Sequence, residues 1–581
     1  MWTEAFAALP ADPSAALPTE GIAALPAEGI AALPAIGSSV LVVGVLVVAV
    51  TALADAASQR LRIPNSILLL LVGVLLSFLP FMPQVVIDPE LVLMLALPPL
   101  IYTSGVGMSW PGFRQNLRPI LLLAIGLVVV TAAAVAGAVH WLLGVPWAVA
   151  FILGAVVSPP DPVAPMAIAR TLSVPQKLLT ILEGEGLIND ATALILLSFA
   201  VTAAVTGTFS LPAALVDFVV VILAELAWGY AVGWALLRLR HRVGSPQIEI
   251  MLALLTPFVA FWPPHWLGGS GVIAALAAGL YVSWQGPRFI SPATRLQGYF
   301  VWGLIAHGLE GLVFVLTGLQ AQRIASGLDQ GGWQRVAVAG AVVSLVVIVV
   351  RFLWVFPATY LPRWLSPALR RRDPYPPWQQ TFFIGFTGIR GAISLVAALS
   401  IPFVAGEAAF PERELILFTT FCVIVVTLVG QGLSLPWLLP RLGLVAAGRA
   451  EAAANKAREV QARILGVEAV LAALDKLAAA GADPAAVAVL RRHHGDRLAE
   501  YVGTAEAQAK GSTVATDARL QARLIHAERR CIARLYAERR ITDDARRRVE
   551  RELDLEDARN RHALESATGN RLADPEIEAL F

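Results

Sequence analysis

The chain has 581 residues, 57% of them hydrophobic, and a mean hydropathy of +0.69. Ordinary soluble domains are ~45–50% apolar, so much of this chain must face lipid. The net charge of +2 and the lack of a long basic face give no reason to expect a nucleic-acid partner. Residues 441–581 hold more than half of the charged residues, which predicts two parts, one in the bilayer and one in water.

The first 37 residues form a low-complexity leader. Ala-Ala-Leu-Pro occurs four times, eight residues apart, beginning at Ala7, Ala15, Ala23 and Ala31. Proline at this frequency stops a long helix. We therefore expect 1–37 to be loosely structured, 38–440 to form the membrane domain and 441–581 to form a charged, helical cytoplasmic domain.

Thirteen segments are long and apolar enough to cross a bilayer, which takes ~20 residues per helix. They are 38–56, 64–82, 87–107, 117–142, 146–169, 179–207, 211–238, 246–263, 267–285, 298–320, 333–361, 378–402 and 414–439. The sequence thus predicts an all-α membrane protein.

The loops between these spans indicate its orientation, because cytoplasmic loops are rich in Lys and Arg. Basic residues recur in the loops after odd-numbered spans, whereas the loops after even-numbered spans hold only Arg323, Arg335 and Arg413. We expect a multi-pass protein of the plasma or inner membrane, with its N-terminus outside and its C-terminus in the cytoplasm.

Span five should be interrupted near the middle of the membrane. It contains prolines 159, 160, 162 and 165 around Asp161, and each proline removes a backbone donor and clashes with the preceding turn. Span twelve carries glycines 385, 388 and 391 around Arg390 and can also break. These two spans predict inverted repeats formed by spans 1–6 and 8–13, with the substrate site at the two breaks.

Span six places carboxylates inside the membrane. Asp190 follows Glu183 by seven residues, and therefore lies ~10 Å deeper along the helix. Glu185 and Asn189 are four residues apart and share a face. Ionisable groups at this depth are costly and by default functional.

These segments resemble monovalent cation:proton antiporter family 1, which contains the bacterial sodium/proton antiporters and the animal sodium/proton exchangers. The matching motifs are Leu97-Pro-Pro-Leu100, Ser158 to Val163, Glu183 to Ala191 and Gly388-Ile-Arg-Gly-Ala392. The resemblance covers about residues 38–440.

The resemblance implies roles for individual residues. Asp190 would hold the cation and the proton in turn, beside Asn189, with Asp161 opposite. Glu185 would form a supporting ion pair with Arg390.

Three positions depart from the family pattern. Pro160 stands where Thr or Ser is common and still offers its carbonyl as a ligand, Gly186 replaces a common Ser, and Thr103 stands where many bacterial relatives have an acidic residue. Thr103 and Glu310 are candidates for lining the cavity. His307 and Glu310 fit either a cavity lining or an interhelical contact with Arg351.

The expected function is exchange of a monovalent cation, Na+ first and K+ as the alternative, for a proton. Both ions would compete for one carboxylate, and neutral Asn189 beside it predicts electroneutral 1:1 exchange. We expect no enzyme activity, no cofactor, no metal beyond the transported cation, and a homodimer in the lipid bilayer.

Two other classes fit the sequence less well. An intramembrane aspartyl protease needs Gly-x-Gly-Asp, which neither Asp161 nor Asp190 follows. A cation channel needs a filter loop, and a carboxylate that must be neutralised before each crossing suits turnover better than conduction.

Overall fold

A computed structural model of the chain describes residues 44–80 apart from 59 and 62, then 89–326, 333–405, 408–509 and parts of 524–558. Helices dominate these residues, since a helix satisfies its own backbone hydrogen bonds where lipid offers no partner. The predicted leader lies outside the described residues. The chain divides into two compact units, residues 1–445 and 446–581.

The first unit begins with helices that lead to the predicted site. In chain order they are α1 (Gly44–Ser58), α2 (Asn65–Ser77), α3 (Pro89–Gly107), α4 (Trp110–Gln115), α5 (Leu117–Leu121), α6 (Val128–Leu143), α7 (Trp147–Val157), α8 (Val163–Thr171) and α9 (Gln176–Thr206). A π-helical segment, Leu122–Leu127, joins α5 to α6.

The helices that follow complete the membrane domain. They are α10 (Leu211–Arg242), α11 (Pro246–Trp266), α12 (Val272–Phe289), α13 (Pro292–Leu319), α14 (Ala321–Ser326), α15 (Trp333–Leu365), α16 (Pro367–Arg372), α17 (Trp378–Phe386), α18 (Ala392–Leu399), α19 (Arg413–Val425) and α20 (Gly432–Arg441). A π-helical segment, Val426–Gln431, joins α19 to α20, and strand β1 (Val404–Ala405) pairs antiparallel with β2 (Ala408–Ala409).

The charged part of the chain is also helical where it is described. It contains α21 (Leu444–Ala479) and α22 (Pro484–Ala509). Most side chains of α21 and α22 that the structure describes are exposed, as the alternation of charge with Ala and Leu predicts.

Within the described residues, eight helices are long and apolar enough to cross a membrane. Shorter apolar helices, α1, α2 and α7, occupy predicted spans one, two and the first part of five. Span five corresponds to α7 with α8, and span twelve to α17 with α18. A multi-pass domain that is helical apart from the short β1–β2 pair is therefore confirmed, whereas the count of thirteen spans and the inverted repeat stay predictions.

The chain is not helical between α7 and α8, nor between α17 and α18. The first gap, Ser158–Pro162, contains three prolines, and the second, Thr387–Gly391, contains two glycines. Residues of α7, α9, α18 and α19 belong to one buried apolar core. The residues of both non-helical gaps are buried or partly buried within this packing.

Candidate functional site

The two non-helical gaps are hydrogen-bonded to each other. The backbone N–H of Asp161 donates to the carbonyl of Ile389 at 2.7 Å. The Asp161 carboxylate accepts from the N–H of Val163 at 2.9 Å, at the start of α8. A negative charge there is favourable because the amino end of a helix carries partial positive charge.

Close contact between the gaps requires glycine at position 391. A Cβ atom there would overlap the Asp161 carboxylate. The sequence places Gly391 directly after Arg390, so the glycine that ends the second gap also makes room for the aspartate of the first.

Arg390 is buried, with 2% of its surface exposed. Its Nε donates to the carbonyl of Val157 at 2.9 Å, and Nη2 donates to that of Ser158 at 3.4 Å. Nη1 donates to the carbonyl of Gly388. The guanidinium thus donates hydrogen bonds to the free carbonyls at the carboxyl end of α7, which carries the partial negative charge of the helix dipole.

The predicted ion pair of Glu185 with Arg390 is wrong in its partner. Glu185 pairs with Arg351 of α15 through two contacts, Nη1 to Oε1 at 2.5 Å and Nη2 to Oε2 at 2.9 Å. The two side chains are 2% and 1% exposed. Arg351 also donates from Nε to the carbonyl of Ile384 at 2.9 Å. The pair therefore fixes α9 against α15 and α17.

Asn189 connects α9 to the first gap. Its side chain is fully buried, and Nδ2 donates to the carbonyl of Pro160 at 2.6 Å. Oδ1 is buried without a hydrogen-bond partner among the described residues. A buried oxygen left in this way is costly unless something binds it. The carbonyl of Pro160, expected as a cation ligand, is thus already engaged by Asn189.

Asp190 follows Asn189 and is partly buried. It lines a cavity of about 10 Å³ between α7, α9 and α18, together with Pro159 and Ser394. Such a space is about the size of one water molecule. Asp190 and Asp161 interact electrostatically, so the structure brings both predicted carboxylates to the same region.

Glu310 and Thr103, the two candidates for the cavity lining, differ in their surroundings. Glu310 of α13 interacts electrostatically with Asp161, His307 and Arg170. Thr103 donates its hydroxyl to the carbonyls of Pro99 and Leu100 in its own helix, at 2.7 and 3.0 Å. Of these two residues, only Glu310 interacts with a carboxylate of the candidate site, that of Asp161.

His307 lies beside Asp55 of α1, with 2.5 Å between Nε2 and Oδ2. The interhelical contact weighed for His307 and Glu310, with Arg351, is therefore not made by His307. Asp55 lies near the end of predicted span one, and the sequence could not predict the pairing because the two residues are 252 positions apart.

Glu225 of α10 is a further buried carboxylate whose partner the sequence left open. It accepts from the backbone N–H groups of Ser270, Gly271 and Ile273, at 2.6, 2.9 and 3.1 Å. These groups lie just before and within the first turn of α12, so Glu225, from α10, caps the amino end of that helix. Its contacts explain Glu225 as a structural group.

The fold and the buried carboxylates define a class, the helical multi-pass membrane transporters. The structure resembles the sodium proton antiporter MjNhaP1 of Methanocaldococcus jannaschii, with a TM-score of 0.56, at 17% identity, over 70% of this chain and 99% of that one. At that identity the likeness concerns the fold.

A family model described as "Sodium/hydrogen exchanger, transmembrane" matches residues 45–441. The chain belongs to this family, whose members are cation/proton antiporters and not enzymes.

Relatives agree with this assignment. An uncharacterized Na+/H+ exchanger of Mycobacterium tuberculosis is 39% identical over 402 residues, which are 68% of this chain and 73% of the relative. A sodium, potassium, lithium and rubidium/H+ antiporter of Bacillus subtilis is 34% identical over 391 residues, 65% of this chain and 58% of that relative.

Proposed function

We propose that the protein exchanges Na+ for H+ at Asp190 by alternating access. The observation that carries this proposal is the position of Asp190: a carboxylate of a membrane helix lies beside Asn189, against a non-helical gap that is bonded to a second gap. Gaps of this kind supply free backbone groups for a dehydrated cation only where they line a cavity.

Competition at one carboxylate couples the two ions. A proton and a cation cannot both neutralise Asp190, so loading one releases the other. A bare carboxylate is costly to move through the protein interior, which hinders the return of an empty carrier. The proposed additional ligands of the cation are the Asp161 carboxylate, Asn189 Oδ1 and the carbonyl of Pro160. The carbonyl would use its second lone pair, because the first accepts the hydrogen bond from Asn189.

The proposed architecture places the two gaps at the midplane of an inverted repeat, with the basic loops in the cytoplasm. The presence of a gap in each half supports the repeat. The orientation is supported by the basic residues at α5 (Arg118), at the end of α15 (Arg363) and in α16 (Arg370, Arg371 and Arg372). We also propose a homodimer in the cell membrane. The support is α10, because only 6% of its most apolar 18-residue stretch is buried within a single copy of the chain.

Replacing Asp190 tests the proposal. In proteoliposomes, Asp190→Asn should abolish cation-driven proton movement, because asparagine cannot release a proton. Asp217→Asn, which neutralises an exposed carboxylate on α10, is the matched control and should retain exchange. Exchange by the Asp190 variant at the wild-type rate would refute the assignment.

The pH dependence follows from the same competition. Exchange at a fixed cation concentration should rise with pH until the proton no longer competes for Asp190. Fluorescent measurement of the internal pH across an external pH series checks this, and a rate independent of pH would contradict it.

One titrating carboxylate predicts electroneutral 1:1 exchange, because Asn189 carries no charge. Valinomycin-imposed potentials of either sign should leave the initial rate of Na+/H+ exchange unchanged. A rate that rises with potential of one sign would indicate that a second carboxylate, such as Asp161, titrates in the cycle.

K+ is the second candidate cation, favoured by the similarity to the Bacillus subtilis relative, a sodium, potassium, lithium and rubidium/H+ antiporter. The rate of proton movement driven by Na+, K+ and Li+ at equal concentration distinguishes the two. A response to K+ that equals or exceeds that to Na+ would replace the proposed cation while leaving antiport intact.

A further inference from the structure

A second cavity lies at the ends of α5, α9, α15 and α17, on the face rich in arginine. It has a volume of about 50 Å³, and Arg118, Lys177 and Arg363 line it. All three surround one carboxylate, that of Asp373. Nζ of Lys177 lies 3.1 Å from Oδ1, while Nη2 of Arg363 and of Arg118 lie 2.6 and 3.5 Å from Oδ2.

The cluster carries an excess of positive charge. Burial acts to raise the pKa of Asp373, but the hydrogen bond and charge of Lys177, with Arg363 and Arg118, hold it below its usual value. The carboxylate is therefore ionised at neutral pH, and three cations face a single negative charge. Nη1 of Arg118 is buried and has no hydrogen-bond partner among the described residues.

An unpaired buried donor on a cation calls for an anionic acceptor. Arginine forks and a lysine ammonium are the usual ligands of phosphate oxygens. The volume is enough for a few water molecules, and hence for one phosphate group. No such acceptor is supplied by Asp373, which already serves all three cations.

Most of the remaining lining is apolar, apart from Thr359, Gln380 and Thr381. Leu122, Ile181, Val355 and Ile384 line the cavity below the charged rim. A cationic rim above an apolar wall, between membrane helices, suits a molecule with a phosphate head and an acyl chain. The exposed arginines of α16, Arg370, Arg371 and Arg372, do not line the cavity.

We propose that this cavity binds a phosphate group, with Arg118 and Lys177 as its ligands. The chemistry is shared by a phospholipid headgroup and by free phosphate, and the experiment separates them. The proposal is independent of the exchange reaction, since none of its residues belongs to the Asp190 region.

The test uses the purified full-length protein, delipidated in detergent, and follows its melting temperature. Short-chain phosphatidic acid, phosphatidylcholine of the same chain length and inorganic phosphate are added separately at constant ionic strength. Phosphatidic acid should raise the melting temperature in a saturable way, and phosphatidylcholine should not at the same concentrations.

In Arg118→Gln/Lys177→Gln the apparent affinity for phosphatidic acid should fall tenfold or more, which is about 1.4 kcal/mol. The matched control, Arg371→Gln/Arg372→Gln, removes the same charge from the same face outside the cavity. It should bind like the wild type.

A third variant guards against misfolding of the double variant. Ala358→Phe fills the cavity from its wall and leaves all four charged groups in place; it should abolish the response. A response to phosphatidic acid alone assigns the site to lipid, and a response also to inorganic phosphate assigns it to the phosphate group itself. No saturable response in the wild type, or equal responses in wild type and double variant, would overturn the proposal.

Discussion

Glu185 and Arg351 illustrate what a buried charge needs at the scale of single residues. Burying either charge alone would cost several kcal/mol of desolvation free energy. The bidentate contact between the two side chains offsets this cost, and Arg351 also donates a hydrogen bond to the carbonyl of Ile384. Arg390 is equally buried but is compensated by backbone carbonyls. Two arginines of one membrane domain thus have different counterparts, an ionised side chain and the end of a helix.

A double-mutant cycle should separate these two arginines. Glu185→Gln and Arg351→Gln should each destabilise the protein by ~3–5 kcal/mol, because each leaves an uncompensated buried charge. Their coupling energy should be ~1–3 kcal/mol, measured by unfolding in SDS. The matched cycle of Glu185→Gln with Arg390→Gln should give a smaller coupling, and an equal or larger one would contradict the pairing.

At this scale the sequence predicted the groups better than their partners. Asp161, Glu185, Asn189 and Arg390 could be named because ionisable and amide groups at membrane depth are rare. The partner of Glu185 could not, since Arg351 and Arg390 both lie within spans and the sequence holds no distance between α9 and α15. The partners of Glu225 could not be predicted for the same reason, because the N–H groups that it binds belong to another part of the chain.

At the scale of elements, proline and glycine positions locate the two gaps within the residues that the sequence indicated. What the sequence could not provide is the contact between them, which is made by backbone atoms of Asp161 and Ile389. Backbone hydrogen bonds between distant segments leave no mark on residue type. Gly186 is a case where structure supplies a reason for a departure from the family pattern.

Gly186 is required by the fit of α9 against the first gap. A Cβ atom there would overlap the ring of Pro162, so the serine common in the family cannot fit beside this proline. Gly186→Ser should therefore reduce exchange at least tenfold by displacing the gap. Gly308→Ser on α13 is the control, because nothing lies within 4 Å of a Cβ at that position.

Transport measured on equal amounts of reconstituted protein checks this prediction. Full activity of Gly186→Ser would mean that Pro162 shifts to accommodate the serine without displacing the carboxylates of Asp161 and Asp190. Recovery of activity in Gly186→Ser/Pro162→Ala would support the steric reason directly.

At the scale of the whole molecule, the Asp373 cluster holds together parts of the chain far apart in sequence. It joins α5, α9 and α15 at one face of the membrane domain. The loops that carry it were predicted only as markers of orientation. Charge counts indicate a face of the membrane, but they do not indicate which of many arginines meets the single aspartate.

Asp373→Asn should lower the stability of the folded protein at neutral pH by about 1 kcal/mol, because the partly exposed carboxylate is screened by solvent. The folded pKa of Asp373 lies below its usual value, so its contribution is complete above pH ~4 and is lost as pH falls through the lowered pKa. Melting temperatures of wild type and variant should therefore converge in acid.

Glu468→Gln, which neutralises an exposed carboxylate of α21, provides the comparison and should melt like the wild type throughout. A difference between wild type and Asp373→Asn that persists unchanged at the lowest pH would show that the side chain acts by shape and not by charge.

The bond from Asp161 to Ile389 also bears on how the carrier moves. Together with the bonds from Arg390 to the carbonyls of Val157 and Ser158, it favours displacement of the two gaps as a pair. In the proposed alternating access, we therefore expect α7, α8, α17 and α18 to shift together when Asp190 changes the aqueous compartment that it faces.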